Sequence, residues 1–284
     1  MPKLLSQAQV DAYHRDGYVF PMRAIAEAEM RATRERYEAL CRQEGGQLTK
    51  RTNQKPHLLV TWLADMVRHP RILDAVEDVI GPNLLCWAAG FFHKPPHTPG
   101  FVSWHQDSTY WGLSKPDVVT AWVAFTPSVP QSGCMRVMPG TQKTEQIAHR
   151  DTFSPDNMLS RGQEIEVDVD VAKAVDVVLQ PGEFSLHHVR IVHGSEPNSA
   201  DWPRIGFAIR YVPTDMRQLS GIRDSATLVR GHDAYNNFDH EPAPKSDFHP
   251  DAVAFHSGMI DRTTKILFAG AAKVREYEPP RPAS

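Results

Sequence analysis

The chain has 284 residues, enough for one large domain or two small ones. Its 31 basic and 34 acidic residues leave a net charge of −3, which argues against a nucleic-acid surface. Cys41, Cys86 and Cys134 lie far apart with no CxxC, so neither a disulfide framework nor a zinc finger is expected.

The N-terminus, MPKLLSQAQV, turns polar within six residues and lacks the apolar core of a signal peptide. No stretch approaches the roughly 20 apolar residues of a membrane helix. These features predict a soluble, cytoplasmic protein whose partner is a small molecule rather than nucleic acid or membrane. "SQAQVDAYHRDG" opens with Ser6 and has Gln9 three residues later, a capping-box pattern, so a helix is predicted that stops at Gly17. "YVF" predicts a short strand. Residues 24–44 combine strong helix formers with an apolar face and end at Gly45-Gly46. "PRILDAVEDVIGP" predicts another helix, closed by Gly81 and Pro82.

From residue 84 the pattern changes. "LLCWAAGFF", "VVTAWVAF", "CMRVM", "AVDVVL", "EFSLHHVRIVH" and "RIGFAIRYV" are short runs rich in β-branched and aromatic residues. Proline- and glycine-containing turns separate them, and no helical pattern alternates with them, so an antiparallel sandwich or barrel is predicted. Residues 141–170 read as a polar insertion, and residues 213–263 as loops. "TTKILFAGAAKV" suits a strand or a short helix. The expected organisation is one domain over 1–284. A mostly helical bracing segment (1–83) precedes a barrel core (84–213) and an irregular C-terminal segment (214–284).

His-x-Asp occurs at His14/Asp16, His105/Asp107 and His249/Asp251. A chelate needs both side chains on one side, which residues i and i+2 of a strand satisfy and those of a helix do not. His14 and Asp16 fall in the first helix, and His249 and Asp251 in a proline-rich loop. His105 and Asp107 follow a loop among aromatics and are the pair that fits. A second histidine must come from elsewhere, and "LHHVRIVHGSEPN" offers His187, His188 and His193. His193 ends an apolar run before Gly194-Ser195, a strand-end position. Two histidines and a carboxylate with open positions match the facial triad of non-haem iron(II) oxygenases. His188 reads as a core histidine. An arginine suits the distal carboxylate of 2-oxoglutarate, because its planar fork matches that group. Arg204 starts the strand after the turn "SEPNSADWP". Arg210 shares its face, deeper along the strand.

Together "WHQD", "TAWVAF", "SGCMRVMPGT", "VRIVHGSEPN" and "RIGFAIRYV" resemble the phytanoyl-CoA dioxygenase family of iron(II)/2-oxoglutarate oxygenases, over about residues 5–215. The resemblance implies a double-stranded β-helix, a cupin-like jelly-roll barrel. It implies His105, Asp107 and His193 as iron ligands and Arg204 as the 2-oxoglutarate anchor, with Thr120, Trp122, Gln106 and Ser195 lining the co-substrate pocket. It implies O2-dependent hydroxylation of an unactivated C–H bond, releasing succinate and CO2. Some relatives chlorinate carbon where the carboxylate is replaced by a small residue; Asp107 therefore implies oxygen insertion. Tyr110 and Trp111 after the metal pair, and Phe91 and Lys94 before it, are expected to border the substrate. Two rival classes are a cupin-type metal-dependent hydrolase or isomerase and a non-enzymatic ligand-binding jelly roll. The first has no need of Arg204, and the second no need of three metal ligands.

Overall fold

Helix α1 (Gln7–Asp16) starts where Ser6 and Gln9 close a reciprocal capping box and ends at Gly17, which adopts the left-handed conformation (φ 87°). A computed structural model describes residues 2–269 and 271 of the chain. Helices α2 (Glu27–Gln43), α3 (Thr61–Met66) and α4 (Pro70–Ile80) follow in the N-terminal segment, interrupted early by strand β1 (Tyr18–Arg23). The barrel strands are β2 (Leu84–Lys94), β3 (Val102–His105), β4 (Val119–Ala124), β5 (Arg136–Val137), β6 (His149–Asp151), β7 (Gln163–Ile165), β8 (Val175–Asp176), β9 (Glu183–His188), β10 (His193–Ser195) and β11 (Arg204–Pro213).

Seven strands form the large sheet in the order β1-β9-β4-β11-β2-β12-β13, where β12 is Ser225–Arg230 and β13 is Asp239–His240. A smaller sheet, β3-β10-β5-β8, faces it, and β6 with β7 makes a separate hairpin. All the strand pairs are antiparallel except β12 with β13. This is the predicted jelly-roll with bracing helices.

The alternation along β11 shows how the layers are built. Ile205, Phe207, Ile209 and Tyr211 point to one face and pack with Tyr37 of α2, Leu63 of α3 and Val76 of α4 in the main core. Arg204, Ala208 and Arg210 point the other way, into the barrel. The period of two thus separates packing from chemistry. Two smaller clusters complete the packing, one with Trp122, Met135, Val177 and Ile191 and one with Leu85, Val189, Val212 and Phe238.

Two expectations are corrected. Of the segment 214–284, the described residues are not irregular: β12 adds to the edge of β2, and residues 250–267 form the 18-residue helix α5 (Pro250–Leu267). His249 is the N-cap of that helix, and its ring accepts from the Asp251 N–H. Of "TTKILFAGAAKV", the first five residues belong to α5; most of those beyond Ala269 lie outside the described residues. The polar insertion is also structured, since residues 149–165 carry the β6–β7 hairpin.

The C-terminal segment is pinned by buried charge. Lys55 Nζ donates to Glu241 Oε1 at 2.5 Å and to Ser225 O at 2.7 Å. Ser225 and Thr227 donate their hydroxyls to the same carboxylate. Burial raises the Glu241 carboxyl, but Lys55 and His57 outweigh it and hold it at about 2.

Candidate active site

His105 ends β3 and His193 begins β10, and the two are register partners in the small sheet. Their rings lie 4.1 Å apart, centroid to centroid. Asp107 opens the single 3-10 turn after β3, and its Oδ1 lies 3.3 Å from His105 Nε2. One ligand atom from each of His105, Asp107 and His193 lies within 4.8 Å of the others, and all three residues are buried. No other such group of three occurs among the described residues.

Backbone carbonyls set the tautomers. His105 Nδ1 donates to Ser103 O (2.9 Å) and His193 O (3.1 Å), and His193 Nδ1 donates to Ile191 O (3.0 Å). Each ring is therefore left with an Nε2 lone pair facing the cavity, as a metal requires. Burial, then the neighbouring His105, lowers the His193 imidazole to about 4, so it is neutral near pH 7. Burial raises the Asp107 carboxyl, but the imidazoles of His105 and His193 outweigh it and hold it below the usual carboxylate range. A neutral imidazole at His193 beside an ionised carboxylate suits a divalent ion.

Next to these three groups is a pocket of about 40 Å³. Trp122, Thr120, Ser195, Arg204 and Arg210 contribute to its wall. The Arg204 guanidinium is 5.3 Å from the Trp122 ring and 2% exposed, and its Nε and Nη2 have no hydrogen-bond partner among the described residues. Burial lowers its pKa to about 10, which leaves it charged. Thr120 Oγ1 and Arg210 Nε are likewise unpartnered and buried. Orphaned donors of this kind cost free energy unless a ligand accepts from them. A small dianion that chelates a metal at one end fits both the donors and the ligand set.

Gly206 makes the Arg204–Trp122 arrangement possible. A Cβ there would stand 1.8 Å from Trp122 Cζ2, so only glycine lets the indole lie across β11.

The match to known proteins agrees with this geometry. Residues 13–206 match the model of the phytanoyl-CoA dioxygenase (PhyH) family, more than half of the chain. The chain belongs to the phytanoyl-CoA dioxygenase family. It is a 2-oxoglutarate-dependent non-haem iron dioxygenase, using iron(II), 2-oxoglutarate and O2. A probable alpha-ketoglutarate-dependent hypophosphite dioxygenase of Stutzerimonas stutzeri is 28% identical over 182 residues, covering 63% of this chain and 63% of that protein. A solved non-heme monooxygenase, ThoJ in its apo form, is 35% identical with a TM-score of 0.81, covering 91% of this chain and 97% of that one. CytC3 with Fe(II) and alpha-ketoglutarate is 28% identical with a TM-score of 0.62, covering 86% and 96%.

For a phytanoyl-CoA dioxygenase family member, several predicted site residues fall elsewhere. Gln106 lies between His105, the last residue of β3, and Asp107 in the turn after it, and is not among the residues that line the pocket. It is fully buried, donating to Arg190 O and accepting from Ile147 N and Gln146 Nε2. Lys94 does not face a substrate cavity. Its ammonium lies under β10, donating to Ser195 Oγ (2.7 Å), Ser195 O and Glu196 O. Burial and then Arg204 lower it to about 6. Tyr110 donates to Asp151 Oδ1 and lies under the Arg161 guanidinium, 3.6 Å away, so it ties the β6–β7 hairpin down. Phe91 borders a larger cavity, but its ring is in the main core against Tyr37, Phe125 and Phe207. Phe92 is its replacement, common to both cavities. Trp111 does line the larger cavity, as expected. Arg210 shares the face of Arg204 but lies toward that larger cavity rather than deeper.

The sequence offers His187 without giving it a place, and one further His-x-Asp pair goes unmarked there. His187 is buried in the pocket wall with its Nε2 4.0 Å from Asp107 Oδ2 and its Nδ1 unpartnered. A further His-x-Asp, His149 and Asp151 on β6, is not a chelate. His149 accepts from Gln106 N through Nε2, and Asp151 binds Arg161 and Tyr110. No helix among the described residues is long and apolar enough to cross a membrane.

Proposed function

We propose that His105, Asp107 and His193 hold the iron, that Arg204 anchors 2-oxoglutarate, and that the enzyme hydroxylates an unactivated C–H bond of a small molecule. One observation carries this reading: the three ligand atoms converge within 4.8 Å beside a buried guanidinium with no partner. When bound, iron(II) with 2-oxoglutarate and O2 supplies a two-electron C–H oxidation coupled to decarboxylation. One oxygen atom enters succinate and the other enters the product, and CO2 leaves.

The chain's own residues bind, orient and exclude water. The carbonyls of Ser103 and Ile191 hold the two imidazoles in the tautomer that offers Nε2. Arg204 offers Nε and Nη2 to the distal carboxylate, and Thr120 offers Oγ1 beside it. Ser195 stays in the wall, its hydroxyl fixed by Lys94. Trp122 covers the guanidinium and keeps it dry, which strengthens a charge-assisted contact. Asp107 occupies the position an added anion would otherwise take, which favours oxygen insertion over halogenation.

The substrate's place in this reading is the larger cavity of about 290 Å³, joined to the metal pocket at Phe92 and Arg210. The small inorganic substrate in the name of the Stutzerimonas relative also supports a small-molecule partner. A metal-dependent hydrolase or isomerase leaves Arg204 without a purpose, and a simple binding module leaves the triad without one. The test is turnover in labelled dioxygen with chloride present. The reading expects succinate, and one labelled oxygen in the product with no halide dependence. A halogenated main product, or no O2-dependent succinate from iron-loaded protein, would sink it.

A further inference from the structure

The larger cavity holds two charges that the protein leaves without an ion-pair partner. Arg210 stands at its inner end, where it meets the metal pocket. Its one hydrogen bond among the described residues is a long one to Ala208 O (3.5 Å), and its Nε is buried with none. Asp224 is the second charge, 1% exposed. Its Oδ2 accepts from Trp87 Nε1 (2.7 Å) and its Oδ1 from Ser225 N (2.8 Å), with no cation within ion-pair distance among the described residues. Lys55, also in the wall, is already committed to Glu241. A carboxylate that only positions an indole has the wrong chemistry for the task, since a neutral acceptor would avoid burying a charge.

Two indoles connect these charges. Trp87 and Trp111 are 5.0 Å apart, centroid to centroid, and the Arg210 guanidinium is 5.9 Å from the Trp111 ring. Asp224 is bonded to Trp87. A chain of contacts thus runs from Arg210 through Trp111 and Trp87 to Asp224. An acid and a cation that reach these two groups must be several bonds apart. Aromatic faces along that chain attract a cation.

We infer that the larger cavity takes a zwitterion whose acidic group and cation are separated by a short chain, with a basic α-amino acid as the best-fitting class. Its carboxylate meets Arg210 beside the metal pocket, and its side-chain cation meets Asp224 beside Trp87. The carbons next to the carboxylate then lie closest to the metal. This rests on the proposed function, in that the larger cavity is taken as the substrate site.

The test is calorimetric titration of the anaerobic, iron(II)- and 2-oxoglutarate-loaded enzyme with L-lysine, L-ornithine and L-arginine. Two controls are L-norleucine, which lacks the terminal amine, and 1,5-diaminopentane, which lacks the carboxylate. At least one basic amino acid is expected to bind, with each control weaker by about tenfold or more, the step worth about 1.4 kcal/mol. Asp224→Asn, which keeps an acceptor for Trp87, should bring lysine down to the norleucine level and leave norleucine unchanged. Arg210→Gln should weaken lysine and norleucine together and 1,5-diaminopentane little, since only the first two carry the carboxylate. No binding by any basic amino acid overturns the inference, as does a control that binds equally well or an Asp224→Asn enzyme with unchanged lysine affinity. An Arg210→Gln enzyme that binds lysine as tightly as the unaltered enzyme overturns the role of Arg210 here. If Asp224→Asn fails to fold, the comparison of lysine with its two controls on the unaltered enzyme decides. Slow substrate-free decarboxylation of 2-oxoglutarate, measured in parallel, tests the underlying function independently.

Discussion

His105 and His193 face each other across the β3–β10 ladder, 88 residues apart in sequence, with each ring's Nδ1 tied to a backbone carbonyl. The two histidines of the proposed metal site are thus held by the sheet itself, which preorganises them.

Arg204 is the next point of test. Removing a two-point contact to a buried carboxylate should cost about 2–4 kcal/mol, or roughly 30- to 700-fold in the 2-oxoglutarate requirement. Arg204→Ala should show that rise, and Arg204→Lys should recover only part, because an ammonium cannot fork. A saturation curve of succinate against 2-oxoglutarate reads both. An unchanged requirement in the alanine variant would move the anchor elsewhere.

Gly206→Ala tests the same pocket through packing. The added methyl falls on the Trp122 indole, so the ring must leave its place over Arg204. Overpacking of this kind costs about 1–3 kcal/mol of stability. The expected result is a lower melting temperature together with weaker 2-oxoglutarate binding and unchanged iron content. Equal 2-oxoglutarate affinity would mean that Trp122 is core packing only.

The Lys55–Glu241 pair should be a strong stability determinant far from the metal. Glu241→Ala leaves a buried ammonium without its counter-charge, which typically costs about 3–5 kcal/mol. Urea unfolding measures it, and a loss below 1 kcal/mol would place the pair with the weak surface ion pairs.

Stability should also fall with acid in a defined window. Burial holds His256 at about 4, against 6.5 when unfolded, with its Nε2 donating to Gln54 O. The folded state thus binds fewer protons than the unfolded state between those values. Stability is full above about pH 6.5, falls as pH drops to about 4, and loses nothing further from this group below it. The loss is on the order of 3 kcal/mol. His256→Gln should make the profile less steep between pH 6.5 and 4, with the slope that remains coming from other buried histidines such as His193, seen in urea midpoints measured across that range; an unchanged slope would contradict the assignment.

The barrel was legible because alternation and turn residues repeat from residue 84 onward, and the i, i+2 rule brought out His105 and Asp107. Gln106 falls outside the pocket because its amide is taken up by Arg190 O, Ile147 N and Gln146 Nε2, none of which the sequence places beside it. Other errors needed pairing information that sequence does not carry. Whether Phe91 or Phe92 faces the pocket depends on the β2–β11 register, in which Phe92 stands opposite Gly206 and Phe91 opposite Phe207. His187 faces inward because β9 sets it opposite Thr120, while the turn at 189–192 breaks the parity that would link it to His193. Helix α5 was hidden by the prolines that precede it, although Pro250 at its first turn is where a helix accepts proline.

The most direct measurement is anaerobic titration of the protein with iron(II) and 2-oxoglutarate, followed by the visible charge-transfer absorption of a keto acid chelated to ferrous iron. The band should form in the unaltered enzyme and disappear in both His105→Ala and His193→Ala, with far-ultraviolet circular dichroism unchanged. A band of full intensity in either variant would contradict the assignment of iron to His105, Asp107 and His193.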